Sequence, residues 1–144
     1  MTTQINPYLC FNGNCEEAFT YYKSIFGGEF AGLSRFKDAP VGSGPPVEEK
    51  FGNLIMNMSL PIGGNNILMG SDGHPAFPKV PFGKNITLSI STDSKEQADR
   101  FFKMLAEGGQ AHMPMADMFW GSYFGMCEDK FGMNWMVSVA PQAN

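Results

Sequence analysis

One shift along the chain lays its two halves over each other. It places Glu16 on Glu96, Ala18 on Ala98 and Lys23 on Lys103 without a gap. The same shift lays Tyr21-Tyr22 on Phe101-Phe102 and Gly28 on Gly108. An internal repeat constrains a chain more than any single motif, because it predicts one supersecondary unit used twice. Each copy has the same order of signals: a strand, a helix, a Gly-Gly pair and further strands.

In the first copy Ile5–Phe11 is a short apolar and aromatic run, expected to be a strand. Asn14 is the expected helix N-cap, with Glu17 three residues on as in a capping box. Ala18, Tyr21, Tyr22, Ile25 and Phe26 recur at helical spacing and give the next segment one apolar face. Gly27-Gly28 ends it, since glycine adopts the left-handed C′ conformation without a Cβ clash. Strands are expected at Glu29–Phe36, Asn53–Leu60 and Asn66–Ser71, the last two joined by a tight Gly63-Gly64-Asn65 turn. The prolines and glycines of Asp38–Pro46 predict a loop.

Residues 72–84 hold Gly73, Pro75, Pro78, Pro81 and Gly83 and form the expected linker. After it Ile86, Leu88 and Ile90 alternate with polar residues in a strand. A helix follows from about Ser94 to Glu107, with Thr92, Asp93 or Ser94 as its cap and Ala98, Phe101, Phe102 and Leu105 on one face. Gly108-Gly109 closes it, and Gln110–Met115, Ser122–Glu128 and Met133–Val139 complete the set. The expected architecture is therefore α+β: a single domain, 1–144, of two tandem βαβββ modules, about 5–71 and 85–139.

Composition narrows the function classes. Only 10 Lys and Arg stand against 14 Asp and Glu in 144 residues, and they are scattered. Clustered cations are needed to neutralise phosphates, so no nucleic-acid partner is expected. No apolar run approaches the length of a membrane span, and the N-terminus lacks a basic stretch followed by an apolar run. No membrane partner is expected, and the expected location is cytoplasmic. Cys10, Cys15 and Cys127 have neither CxxC nor Cys/His spacing, which argues against a disulfide framework and a zinc site. The glycine-rich pieces Ile62–Asn66 and Gly121–Gly125 match no phosphate-cradling loop.

Several of these segments resemble one known family. The run from Asn6 through Ala18, then Tyr21-Tyr22-Lys23-Ser24-Ile25-Phe26-Gly27-Gly28-Glu29, is similar to the opening of PhnB-like proteins. So are Met69–Asp72, Phe119–Gly125 and Asp129–Met136, the last being the most specific. The likeness runs from about Asn6 to Val139. That family carries a 3-demethylubiquinone 3-methyltransferase-like label. It is similar to the vicinal-oxygen-chelate superfamily of glyoxalases, bleomycin resistance proteins and dioxygenases. The resemblance implies curved mixed sheets, each with a concave face, and a homodimer.

Enzymes of that superfamily hold a divalent metal with His and Glu from the first and last strands of each module. Carried onto this chain, those positions fall at Asn6 to Tyr8, Met69 to Ser71, Asn85 and about Trp135, and none is His, Asp or Glu. The expectation is no metal and no cofactor. Asp72 with His74 would be an improvised alternative.

His112 is a candidate base without a grouped nucleophile, and Cys15 at a helix start a candidate thiolate. Both are better read as structural. The aromatic and methionine load of 113–126, with Trp135 and Met136, suits a wall for an aromatic or amphipathic molecule. Strand placement by resemblance puts Tyr8, Met69, Trp120 and Trp135 on the pocket lining, with Ser71 and Asp72 at its rim. The expected function is binding of an apolar or aromatic small-molecule ligand without the usual metal. A glyoxalase- or dioxygenase-like enzyme with an atypical metal site, or a methyltransferase, is the alternative.

Overall fold

The computed structural model describes residues 3–141, so the extreme ends of the expected 1–144 domain lie outside the described residues. The chain divides between Pro81 and Phe82 into two compact units. In the first, the elements are β1 (Tyr8–Phe11), α1 (Cys15–Phe26), β2 (Gly32–Arg35), β3 (Ile55–Pro61) and β4 (Ile67–Asp72). In the second they are β5 (Leu88–Thr92), α2 (Lys95–Ala106), β6 (Gln110–Asp117), β7 (Tyr123–Glu128) and β8 (Asn134–Val139). Two short 3-10 turns, Phe36–Asp38 and Glu49–Phe51, bracket the Pro/Gly loop. The shift that aligned the sequence halves carries Cys15 onto Lys95 and Phe26 onto Ala106, the bounds of the two helices.

Each unit forms a four-stranded mixed sheet with the same topology, β1-β4-β3-β2 and β5-β8-β7-β6. The first and last strands of each module pair in parallel, Tyr8 opposite Met69 and Leu88 opposite Trp135. The other pairs are antiparallel. A parallel pair needs a crossover, which the helix and the intervening strands supply.

The helix covers one face of each sheet. In the first unit Phe19, Tyr22 and Ile25 of α1 and Phe11, Met58 and Leu60 of the sheet are all buried. Phe11 meets Phe19 edge-on at 6.2 Å, and Phe19 meets Tyr22 at 5.8 Å. Full burial of each such side chain is worth about 1.5–3 kcal/mol, so this layer contributes substantially to holding the helix on the sheet. Gly70 lets the helix approach: a Cβ there would lie 2.7 Å from Phe19 Cε1. In the second unit Ala98 and Leu105 of α2 and Trp135, Val137 and Val139 of β8 are buried.

Two local expectations change. Asn14 makes no side-chain cap to α1. The first helical amide, Cys15 N, donates instead to Asp72 Oδ1 at 2.9 Å, and Gly13 N, just ahead of the helix, donates to the same oxygen at 2.9 Å. A buried carboxylate is a stronger acceptor than a neutral amide, and it complements the helix dipole. On α2, by contrast, Ser94 is the cap, accepting from Gln97 N at 3.1 Å. Asp72 is also the last residue of β4 rather than the first of the linker, and Ile86 lies ahead of β5.

Candidate functional site

Side chains alternate across a strand, so the helix-covered face of each sheet defines the opposite, open face. On β4, Leu68, Gly70 and Asp72 point toward α1, leaving Ile67, Met69 and Ser71 on the open side. The register places Tyr8 beside Met69, Cys10 beside Ser71 and Ser59 beside Met69 on that side. It is a neutral surface of hydroxyls, a thiol and a thioether.

The open face of the second sheet has a different character. Met113 pairs with Met126, and Met126 with Met136, so three methionines form one row across β6, β7 and β8. Phe124 lies beside Ser138 on the same face. Trp120, in the turn before β7, meets Phe124 at 6.1 Å and Phe119 at 4.9 Å. Glu128, paired with Asn134, puts a carboxylate at one end of this face. Ser89 and Ser91 of β5 lie on it as well, opposite Met136 and Ser138.

The methionine row depends on two irregularities in β6. Register shifts fall between Ala111 and Met113 and between Met113 and Ala116. The first leaves His112 as the extra residue, exposed at a bulge. The second brings Ala116 opposite Phe124, on the same side as Met113. Gly125 makes room for this bulge, since a Cβ there would lie 2.6 Å from Met115 Sδ and 3.0 Å from Met113 O. Bulges re-aim side chains, and here they decide which methionines face outward.

The residues expected at a pocket therefore separate. Tyr8 (45% exposed), Met69 and Ser71 share the open face of the first sheet, although Ser71 itself is buried. Asp72 does not join them. It is 3% exposed, points to the helix side, and holds Ile55 N at 2.9 Å on Oδ2 in addition to the Gly13 and Cys15 amides on Oδ1. Adjacent residues of one strand point to opposite faces, so Ser71 and Asp72 lie on opposite sides of the sheet.

Trp120 lies by the open face of the second sheet, 52% exposed. Trp135 faces the helix, buried, and its Nε1–H donates to Asp129 Oδ2 at 2.8 Å. Asp129 Oδ1 also accepts from Phe131 N and Met133 N. The most family-specific segment, Asp129–Met136, is thus a locked turn that sets the start of β8. Its residue on the open face is Met136, one position beyond the expected Trp135. The alternation of Trp135, Val137 and Val139 with Met136 and Ser138 along β8 is the signal that could have found this, since the valines mark the buried parity.

Two thiols and a tyrosine are shifted by their surroundings. Burial pushes the Cys15 thiol well above its usual range, with the Asp72 carboxylate adding to the effect. Burial likewise takes Cys127 up to about 11, aided by Asp129. A thiol held protonated is a poor nucleophile, so Cys15 is not an activated group despite its helix N-terminus. Tyr123 is pushed up to about 12, chiefly because its hydroxyl donates to Asp99 at 2.6 Å. His74 joins two loops, accepting from Ala76 N at Nδ1 and reaching Pro45 O from Nε2 at 3.1 Å. It borders an open cleft of about 990 Å³ under the loop 39–47, along with Phe36, Val47 and Met56. None of the expected pocket residues lines that cleft.

This architecture, two βαβββ units each with an open sheet face, is a fold shared with a glyoxalase/bleomycin resistance protein/dioxygenase from Nocardioides, 17% identical with a TM-score of 0.57 over 100% of this chain and 88% of that one. Residues 3–138 match the family described as 3-demethylubiquinone-9 3-methyltransferase, and the chain belongs to that PhnB-like family. It is 40% identical to PA1353 from Pseudomonas aeruginosa, covering 98% of this chain and 100% of that one, with a TM-score of 0.84. Protein YjdN of Escherichia coli (strain K12) is 31% identical over 96% of both chains. A PhnB protein from Bacillus cereus, described as a putative 3-demethylubiquinone-9 3-methyltransferase, is 26% identical over 96% of this chain and 100% of its own, with a TM-score of 0.76. A fosfomycin resistance protein from Listeria monocytogenes, complexed with Mn(II) and sulfate, shares the fold at 11% identity and a TM-score of 0.61 over 97% of this chain and 93% of that one.

The residues present do not fit the divalent metal that such relatives imply. Among the described residues no group of three or more His, Cys, Asp or Glu could hold an ion. The one carboxylate at the end of β4, Asp72, has its oxygens committed to three backbone amides.

Proposed function

We propose that this chain binds a planar, apolar or aromatic small molecule, with no requirement for a divalent metal. One observation carries the reading. The open face of the second sheet offers Met113, Met126, Met136 and Phe124, with Trp120 beside Phe124, as a partly exposed apolar surface. Thioethers adapt to irregular shapes, and aromatic rings give flat walls, which suits a ligand rather than a rigid core. Tyr8, Met69 and Ser71 offer a second, more polar surface on the first sheet.

The chain works as a homodimer in this reading, since Phe119 at 97% exposure and its neighbour Trp120 form an apolar tip that an isolated chain would leave in water. A cytoplasmic setting suits the three free cysteines. No helix among the described residues is long and apolar enough to cross a membrane.

Native mass spectrometry of the protein as purified, with elemental analysis of the same sample, tests the reading. A dimer carrying an organic mass and no stoichiometric divalent metal supports it. One divalent ion per chain that survives dialysis would overturn it and favour an enzyme with an atypical metal site.

A further inference from the structure

Three thioethers in one cross-strand row are an unusual concentration of soft donors. Met113 is directly opposite Met126, and Met126 directly opposite Met136. Neighbouring strands lie about 4.7–4.9 Å apart, within the lateral reach of a methionine side chain, so the outer two sulfurs can lean in over the central one. Met113 is 41% exposed, and Met126 and Met136 are half-buried, which leaves the row open to solvent ions. Phe124 and Glu128 stand two residues either side of Met126 on the same strand and face, so a carboxylate lies near the row. Ser89 and Ser138 are the other neighbours on this face, and no cationic side chain pairs with the row in the register.

Thioether sulfur is a soft, uncharged ligand. It selects Cu(I) and its analogue Ag(I), and gives hard or borderline divalent ions too little charge to leave their water. We propose that Met113, Met126 and Met136 form a three-thioether site for a soft monovalent cation. The site uses the face assigned above to an organic ligand, but binding of the two is read separately, so failure of one leaves the other standing.

The probe is silver nitrate, added in chloride-free buffer to full-length protein labelled with ¹³C at the methionine methyl groups. A Cys10→Ser background removes the half-exposed thiol, while Cys15 and Cys127 stay buried. One equivalent of silver should shift the methyl signals of Met113, Met126 and Met136 together. Zinc at the same concentration should leave them in place. Met126→Leu should weaken silver binding by about tenfold or more, since loss of even an outer-shell partner of a metal typically costs 10–100-fold. Leucine conserves volume, and an unchanged urea midpoint verifies that the fold is intact. Silver that moves none of the three signals, or only one, overturns the proposal. So does an affinity unchanged in Met126→Leu, or a zinc response equal to the silver response.

Discussion

Asp72→Asn separates a structural carboxylate from a ligand-binding one. The wild-type side chain is buried and accepts three backbone N–H groups at 2.9 Å, from Gly13 and Cys15 on Oδ1 and Ile55 on Oδ2. An asparagine oxygen can still accept from the first two, though as a neutral acceptor. Its NH2 group then faces the Ile55 N–H, donor against donor, in a buried setting. Leaving a buried donor without its acceptor costs about 1–3 kcal/mol, and the weakening of two charge-assisted bonds adds to it. We expect a loss of about 2–4 kcal/mol in all, and a fall in melting temperature of roughly 6–12 °C for a chain of this size. The assay is urea unfolding followed by far-UV circular dichroism. Reaction of the buried Cys15 thiol serves as a local probe of the first unit, because the two units need not unfold together. A change within about 0.5 kcal/mol, the ordinary range for surface substitutions, would refute the reasoning and return Asp72 to the list of ligand-facing groups.

Tyr123 should ionise near pH 12, well above the usual tyrosine range, and Asp99→Asn should bring it down, as read by absorbance at 295 nm. Because the folded value is raised, the stabilisation from this bond is complete below about pH 10 and is lost as pH rises from there toward 12. Of the three cysteines, Cys10 should react with Ellman's reagent in the native state. Cys15 and Cys127, both buried and pushed up in pKa, should react only on unfolding. Native reaction of all three would contradict the burial described.

The order of elements was legible because each rests on local signals. The internal shift, the helical spacing of Ala18, Tyr22 and Ile25, and the Gly-Gly stops all act within a few residues. Helix α2 is capped by Ser94, one of three adjacent candidates in the sequence, and that acceptor lies three residues from its donor. The cap of α1 was not legible: its acceptor, Asp72, lies 57 residues from Cys15 and arrives only through the parallel pairing of β1 with β4. The site was half legible for the same kind of reason. Residue types pointed to an aromatic and methionine wall, but the facing of each side chain follows from strand parity and bulges. Trp135 and Asp72 each stand one position from a residue that does face outward, Met136 and Ser71. The bulges in β6 depend on Gly125 of the neighbouring strand, so no reading of 110–117 alone could place Met113.

The central claim, that the open face of the second sheet binds a planar apolar molecule, is tested most directly by titrating Nile red against the wild type, Trp120→Ala and Trp135→Phe. Removing about 60–100 Å² of indole contact should cost about 1.5–2.5 kcal/mol at roughly 25 cal/mol per Å², so Trp120→Ala should weaken binding by about tenfold or more. Trp135→Phe, altered beneath the helix, should destabilise the fold yet leave the affinity of folded protein within about twofold. The reverse pattern, with binding lost on changing Trp135 and indifferent to Trp120, would contradict the account.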